Sequence, residues 1–185
     1  MPYRCYGLLI SACLLLISCA TPDAAGSPQG ASTPQVSTLT PSGPPASCPI
    51  THPPGTPFVP PAPYPATLPS NYAGQFWYGT ADLWTMLRND GTWSDLPLGE
   101  RGYGQKVFWW REGYDMVAEP NPELTVSGKR LDAAAPPLVA SSATNAAADL
   151  GEAMLVLVEI PEPGCWEITG HYKGHELSYV VWVAQ

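Results

Sequence analysis

The sequence predicts an all-β fold, an antiparallel sandwich of about 7–8 strands. Three observations predict it. From Asn71 onward, short runs rich in Val, Thr, Tyr, Trp and Leu recur every ten or so positions. Turn residues (Gly, Pro, Asn, Asp) separate them. The 23 prolines lie mostly before Asn71, whereas all 7 tryptophans lie after it. The chain is therefore two materials in series, a proline-rich tail and an aromatic-rich body long enough to bury a core.

The strands follow in order. Residues 75–80 (QFWYGT) and 82–88 (DLWTMLR) are the first two. Asn89-Asp90-Gly91 then reads as a hairpin turn, because Gly91 adopts positive φ without strain, and 92–96 (TWSDL) would return. Residues 104–111 (GQKVFWWR) form the next strand. Pro120 and Pro122 break the chain before 123–131 (ELTVSGKRL). Alanine-rich 140–149 reads as a loop or a single helical turn. Residues 152–160 (EAMLVLVEI) are the most apolar run and the best central strand. Residues 165–172 and 175–183 flank Lys173-Gly174, and a tight turn there pairs His171 with Glu176 and Ile168 with Tyr179. Trp166, Ile168, Tyr172, Leu177, Tyr179 and Val181 then share one face. Glu167, Thr169, His171, Glu176 and Ser178 share the other. The run from 152 to 183 resembles the closing strands of immunoglobulin-like bacterial domains, which implies that fold and no particular activity.

Before the body lies an export signal. Arg4 precedes an apolar run at 7–17 (GLLISACLLLI). That run is too short for a bilayer, which needs about 20 residues, but it suits a signal peptide. It ends in Leu16-Ile17-Ser18-Cys19. These residues resemble the bacterial lipobox: a branched apolar residue, a tolerant position, a small residue and a cysteine. The resemblance covers the first twenty residues. It implies cleavage after Ser18, diacylglyceryl transfer to the Cys19 thiol, and a membrane partner reached through that lipid. Two or more acyl chains hold a protein stably. Ala20 in the next position leaves inner and outer membrane open.

The expected organisation is a cleaved signal at 1–18, a lipidated cysteine and disordered tether at 19–47, a proline-rich segment packed on the body at 48–70, and the sandwich at 71–185. The tether has one charge and no apolar period, so it cannot offset its ordering entropy. As polyproline II it would reach on the order of 90 Å. With Cys5 and Cys13 removed and Cys19 lipidated, Cys48 and Cys165 remain. In an exported domain they read as one disulfide, the alternatives being two free thiols or a metal site.

The formal charge of −8 becomes about −9 once Arg4 has left. That argues against nucleic acid, whose phosphates need clustered Lys and Arg. No cofactor motif is present. His171 and His175 have metal-like spacing on a helix, but on a hairpin they face apart, so no metal is expected. No nucleophile elbow, zinc-protease helix or phosphate loop occurs. Asp82, Asp95 and Glu112 are the acids that could pair in an envelope hydrolase. The expected role is non-catalytic, in binding or envelope structure. The first alternative is a glycan-binding module using exposed rings among Trp77, Trp109, Trp110 and Trp182, since adjacent strand residues point to opposite faces. The competing reading is that a second sheet or the proline-rich segment covers them.

Overall fold

The computed structural model of the protein describes residues 43–185. They fold as a sandwich of two sheets. Strands β1 (Gln75–Thr80), β2 (Leu83–Arg88), β5 (Gly102–Trp110), β9 (Gly151–Ile160) and β7 (Val139–Ala140) lie side by side in that order. Strand β4 (Leu98–Gly99) pairs with β5, and β8 (Thr144–Ala148) with β9. The second sheet has the order β3 (Thr92–Trp93), β11 (His175–Val183), β10 (Gly164–Tyr172), β6 (Thr125–Arg130).

Between the sheets lies the main core. Alternation along β9 sends Met154, Val156, Val158 and Ile160 into it, as the apolar run from 152 to 160 predicts. Trp166, Ile168, Tyr172, Tyr179 and Val181 meet them from the closing hairpin, whose register pairs His171 with Glu176 and Ile168 with Tyr179. Gly170 faces inward so that the ring of Trp109 can rest on it. A Cβ there would stand 2.6 Å from two ring carbons.

Three features depart from the sequence expectations. The described strands number eleven, because three short ones (β4, β7, β8) add to the expected runs. The alanine-rich interval is neither loop nor helical turn. It supplies β7 and β8, both paired antiparallel to β9. A strand with an unpaired edge recruits neighbouring backbone whatever its propensity. Asn89-Asp90-Gly91 does not close a hairpin either. It carries the chain out of the first sheet, and β3 pairs parallel to β11 in the second. Gly91 has φ +61°, and a Cβ there would lie 2.0 Å from Ile50 Cγ2. The turn thus serves close packing as well as chain reversal.

Residues 48–68 lie across the outer faces of both sheets and act as a strap. Cys48 is bonded to Cys165 on β10. Thr51 donates its N–H to the carbonyl of Val180 at 3.0 Å, and its hydroxyl accepts from Val180 N at 2.9 Å. Ile50 and Trp182 pack on the disulfide. Further along, Phe58, Tyr64 and Leu68 cover the outer face of the first sheet, where Trp77, Trp84 and Trp110 form a second apolar cluster. Pro65 accepts the indole N–H of Trp77 at 3.0 Å. Cys19, the signal peptide and most of the tether lie outside the described residues.

Candidate functional site

A slot in the first sheet has a volume of about 560 Å³. It arises from a break in one ladder. Strands β2 and β5 pair at Trp84↔Trp110 and Thr85↔Trp109, and there the pairing stops. At that last step Thr85 is fully buried. Its hydroxyl donates to the carbonyl of Phe108 at 2.8 Å, where the ladder ends. Past this point the strands separate. Thr85→Val keeps the side-chain shape and removes the donor. It is expected to destabilise the fold by about 1–3 kcal/mol, read from denaturant unfolding, with Thr85→Ser less affected.

The hydrogen-bonding direction of each edge can be followed residue by residue, since antiparallel strands alternate. On β9, Leu157 gives its carbonyl to Ser141 N and its N–H to Ser141 Oγ, on the side away from β5. Its pairing partner Lys106 therefore turns both backbone groups toward β2. Gly104, which donates to Pro97, and Phe108, which accepts from Thr85, point the same way. On β2, Asn89 donates to Gly74 on the β1 side, so Met86 and Arg88 point toward β5. The carbonyl of Arg88 is taken by Gly91 N at 2.9 Å. The N–H of Met86 goes to the carbonyl of Phe108, the flanking bond that the Thr85↔Trp109 pair requires, so what faces the slot is the C=O of Met86, the N–H of Arg88, the N–H and C=O of Lys106, and the N–H of Phe108.

Side chains line it in two layers. Gln75, Met86, Arg88, Lys106 and Phe108 belong to the outer face. Trp93, on a strand of the opposite sheet, and Val107 lie at its inner end, so the slot passes through the first sheet. Arg88 bridges to Asp90, Nε to Oδ1 at 3.3 Å. The carboxyl of Asp90 ionises below its ordinary range, chiefly because Thr92 N–H donates to it, with Arg88 adding to the effect against partial burial.

A second cluster lies at the turn after β5. Glu119 Oε2 accepts from Tyr172 at 2.6 Å and from Lys173 at 2.5 Å. Arg111 and Lys173 both sit over the Tyr172 ring, 5.8 and 5.1 Å from its centroid. Tyr114 donates to Asn145, which in turn donates to the carbonyls of Met116 and Glu119. Burial pushes the Tyr114 hydroxyl up to about 12, with the nearby Tyr172, Glu119 and Glu152 adding to it. This network ties the loop at 111–124 to the body. Partial burial raises the Glu119 carboxyl, but the bonds from Lys173 and Tyr172 outweigh it and leave it below its ordinary value. A depressed folded value stabilises above the unfolded carboxylate range, about pH 4, and that contribution is lost as pH falls through the folded value. Corrected for intrinsic exchange, the protection of the Met116 and Glu119 amides is therefore expected to fall selectively on acidification below about pH 4, and less so in Glu119→Gln.

The aromatic platform of the alternative, glycan-binding reading does not form. Trp77, Trp109 and Trp110 are 3%, 0% and 1% exposed. The adjacent pair splits as alternation requires, Trp109 into the main core and Trp110 outward, but the strap covers the outward face. Trp182 is partly buried against the cluster of Cys48, Cys165 and Val180. Of the three acids, Asp82 meets His175 at 3.6 Å, Glu112 follows the end of β5 with its N–H on the carbonyl of Ala81, beside Asp82, at 2.8 Å, and Asp95 sits in the loop after β3. His171 pairs instead with Glu176 at 3.2 Å, so the two histidines go to different carboxylates. Among the described residues no group of three or more His, Cys, Asp or Glu could hold a metal ion. No helix there is long and apolar enough to cross a membrane.

Comparison with protein families, with curated proteins and with solved structures finds no match to this chain. The slot went unnoticed in the sequence. Its one signal was Thr85, a polar residue at an inward position between Leu83 and Leu87.

Proposed function

We propose that this chain is a lipid-anchored envelope protein, tethered through Cys19 on the extracytoplasmic side, whose immunoglobulin-like sandwich is a non-catalytic binding domain with its ligand site in the slot between β2 and β5. The observation that carries the binding role is the slot itself. Unpaired main-chain donors and acceptors face each other there beside Met86, Phe108 and Trp93. Ligand sites combine apolar walls with a few placed polar groups in this way. The anchoring role rests on Leu16-Ile17-Ser18-Cys19 and on the Pro- and Ser-rich stretch that follows.

A glycan is the second reading of the ligand. It is favoured by the side-chain amides of Gln75, Asn89 and Gln105 around the slot, beside the ring of Phe108. It uses none of the three buried tryptophans.

Palmitate labelling in the producing bacterium tests the anchor. Label is expected in the wild type and not in Cys19→Ala, which should leave the membrane fraction. Label persisting in Cys19→Ala would overturn the anchor. The binding site is tested by titrating the domain with cell-wall glycan fragments and with peptides while following backbone amides. Changes centred on residues 86–89 and 105–108 are expected. Saturable binding that leaves those amides unmoved would place the site elsewhere.

A further inference from the structure

The strap leaves part of the surface beneath it unsatisfied. Trp77, Trp84 and Trp110 stand on one face of the first sheet, buried under Phe58, Tyr64 and Leu68. The Trp77 indole donates to Pro65, but the indole N–H groups of Trp84 and Trp110 have no partner among the described residues. We infer that this face is a groove for a proline-rich polypeptide segment, closed by the chain's own strap and opened by reduction of the Cys48–Cys165 disulfide. The groove is distinct from the slot, which none of the three rings lines.

The choice of ligand follows from donors and acceptors. A buried indole N–H ordinarily finds an acceptor, and leaving it without one costs free energy. Proline carries a carbonyl and no N–H, so a proline-rich segment brings more acceptors than donors. Residues 53–69 hold eight prolines in seventeen positions. Their surplus carbonyls complement a face whose indoles are donors. Aromatic-lined grooves recur as docking sites for such segments. The strap satisfies one of the three indoles, so a segment that also reaches Trp84 and Trp110 is the better occupant. Trp77 and Trp110 meet edge-on at 86°, which offers a sugar no coplanar platform.

The strap is lightly held between its ends. Thr51 bonds to Val180 and Pro65 to Trp77, but residues 53–63 make no hydrogen bond to either sheet among the described residues. A cavity of about 440 Å³ is lined by Pro54, Thr56 and Phe58 of the strap and by Trp77, Gly79 and Leu177 of the sheets. With the disulfide intact, a lifted strap is a closed loop from Cys48 to the start of β1 at Gln75. With the bond broken it is a free end. Chain entropy for a loop of that length favours opening of the free end by on the order of a hundredfold. Cys48 is 9% exposed and Cys165 is fully buried, so Cys48 is the point of attack. A thiolate of a dithiol reductant bonds to Cys48 Sγ, the S–S bond breaks, and Cys165 leaves as a thiolate that takes up a proton. The second thiol of the reductant then displaces Cys48 from the mixed disulfide. The dithiol is oxidised to a disulfide and the protein is left with two thiols.

The test uses the full chain without its signal peptide and as Cys19→Ser, so that Cys48 and Cys165 are its only cysteines. Hydrogen exchange is followed at the indole N–H groups. After treatment with a small-molecule dithiol, Trp77, Trp84 and Trp110 should exchange about a hundredfold faster, while Trp109 and Trp166 of the main core stay slow. Cys48→Ser should show the same without reductant. Acceleration of all five together, or of none, would overturn the lock. The groove is tested on Cys48→Ser/Phe58→Ala/Tyr64→Ala, whose own strap has lost the two rings that rest on Trp84. The probe is a synthetic peptide of residues 53–69. A tethered strap competes at an effective concentration on the order of millimolar, so the peptide is added to that range. It should slow the three outer indoles by about tenfold or more, and the same peptide with its prolines replaced by alanine should not. If the variant loses core protection, fluorescent peptide on the reduced parent chain takes its place, with saturable binding expected there and none on the oxidised chain. Equal binding of both peptides would overturn proline recognition. Binding of neither to an opened face would overturn the groove, and protection by glycan fragments alone would overturn the polypeptide as its occupant.

Discussion

Cys48→Ser is expected to lower the unfolding free energy by about 4–5 kcal/mol. The bond joins residues 117 apart in sequence, so it constrains most of the body in the unfolded state. Chain entropy favours such long loops, since closure cost grows with the logarithm of length. The folded state loses contacts as well. Cys48 and Cys165 form a small buried cluster with Val180, on which Ile50 and Trp182 rest. Freed there, the strap keeps its Thr51 bonds to Val180 but loses its covalent end. Denaturant unfolding of Cys48→Ser, Cys165→Ser and the double variant should give similar losses. Reduction of the wild type should reproduce them. A loss under 1 kcal/mol would mean that the strap holds without its bond.

Trp110→Ala is expected to cost about 3–5 kcal/mol. Its ring meets Trp77 edge-on at 5.0 Å and stacks beside Phe108 at 6.0 Å. Next to them Trp84 packs on Tyr64 and Phe58 from the strap, at 5.1 and 5.6 Å. Removing Trp110 opens a cavity between sheet and strap, and the covalent tie at Cys48 together with the Trp77–Pro65 bond limits how far the strap can settle into it. Its indole N–H has no partner among the described residues, so truncation forfeits packing and no hydrogen bond there. Equilibrium unfolding gives the measurement. A loss below 1 kcal/mol would mean that the outer face is not packed. A sugar-stacking role for this ring predicts that outcome together with lost glycan binding.

These two results would also bear on why the outward rings are covered. Trp109-Trp110 on a strand must present one ring to each face, and that much follows from the pleat. Whether the outward ring meets water depends on what lies over it. The cover is the stretch from Cys48 to Leu68, whose prolines and scattered Phe58, Tyr64 and Leu68 have no period from which a position could be read. The same limit applies to 140–149. Alanine has little strand propensity, and the interval became β7 and β8 because β9 had an unsatisfied edge beside it.

The sequence by itself determined the strands that carry their own periodicity. Residues 75–80, 152–160 and the two arms about Lys173-Gly174 appear where alternation puts them, and the closing register follows from burying one face. It also pointed to the pairing of Cys48 with Cys165. Only the tertiary structure decided how Asn89-Asp90-Gly91 is used, which tryptophans are covered, and where the sheet opens. Those outcomes depend on partners distant in the chain: Ile50 against Gly91, Pro65 against Trp77, the Thr85 hydroxyl against Phe108. A local pattern records which way a side chain points. It does not record what it meets there, and this candidate site is made by such a meeting.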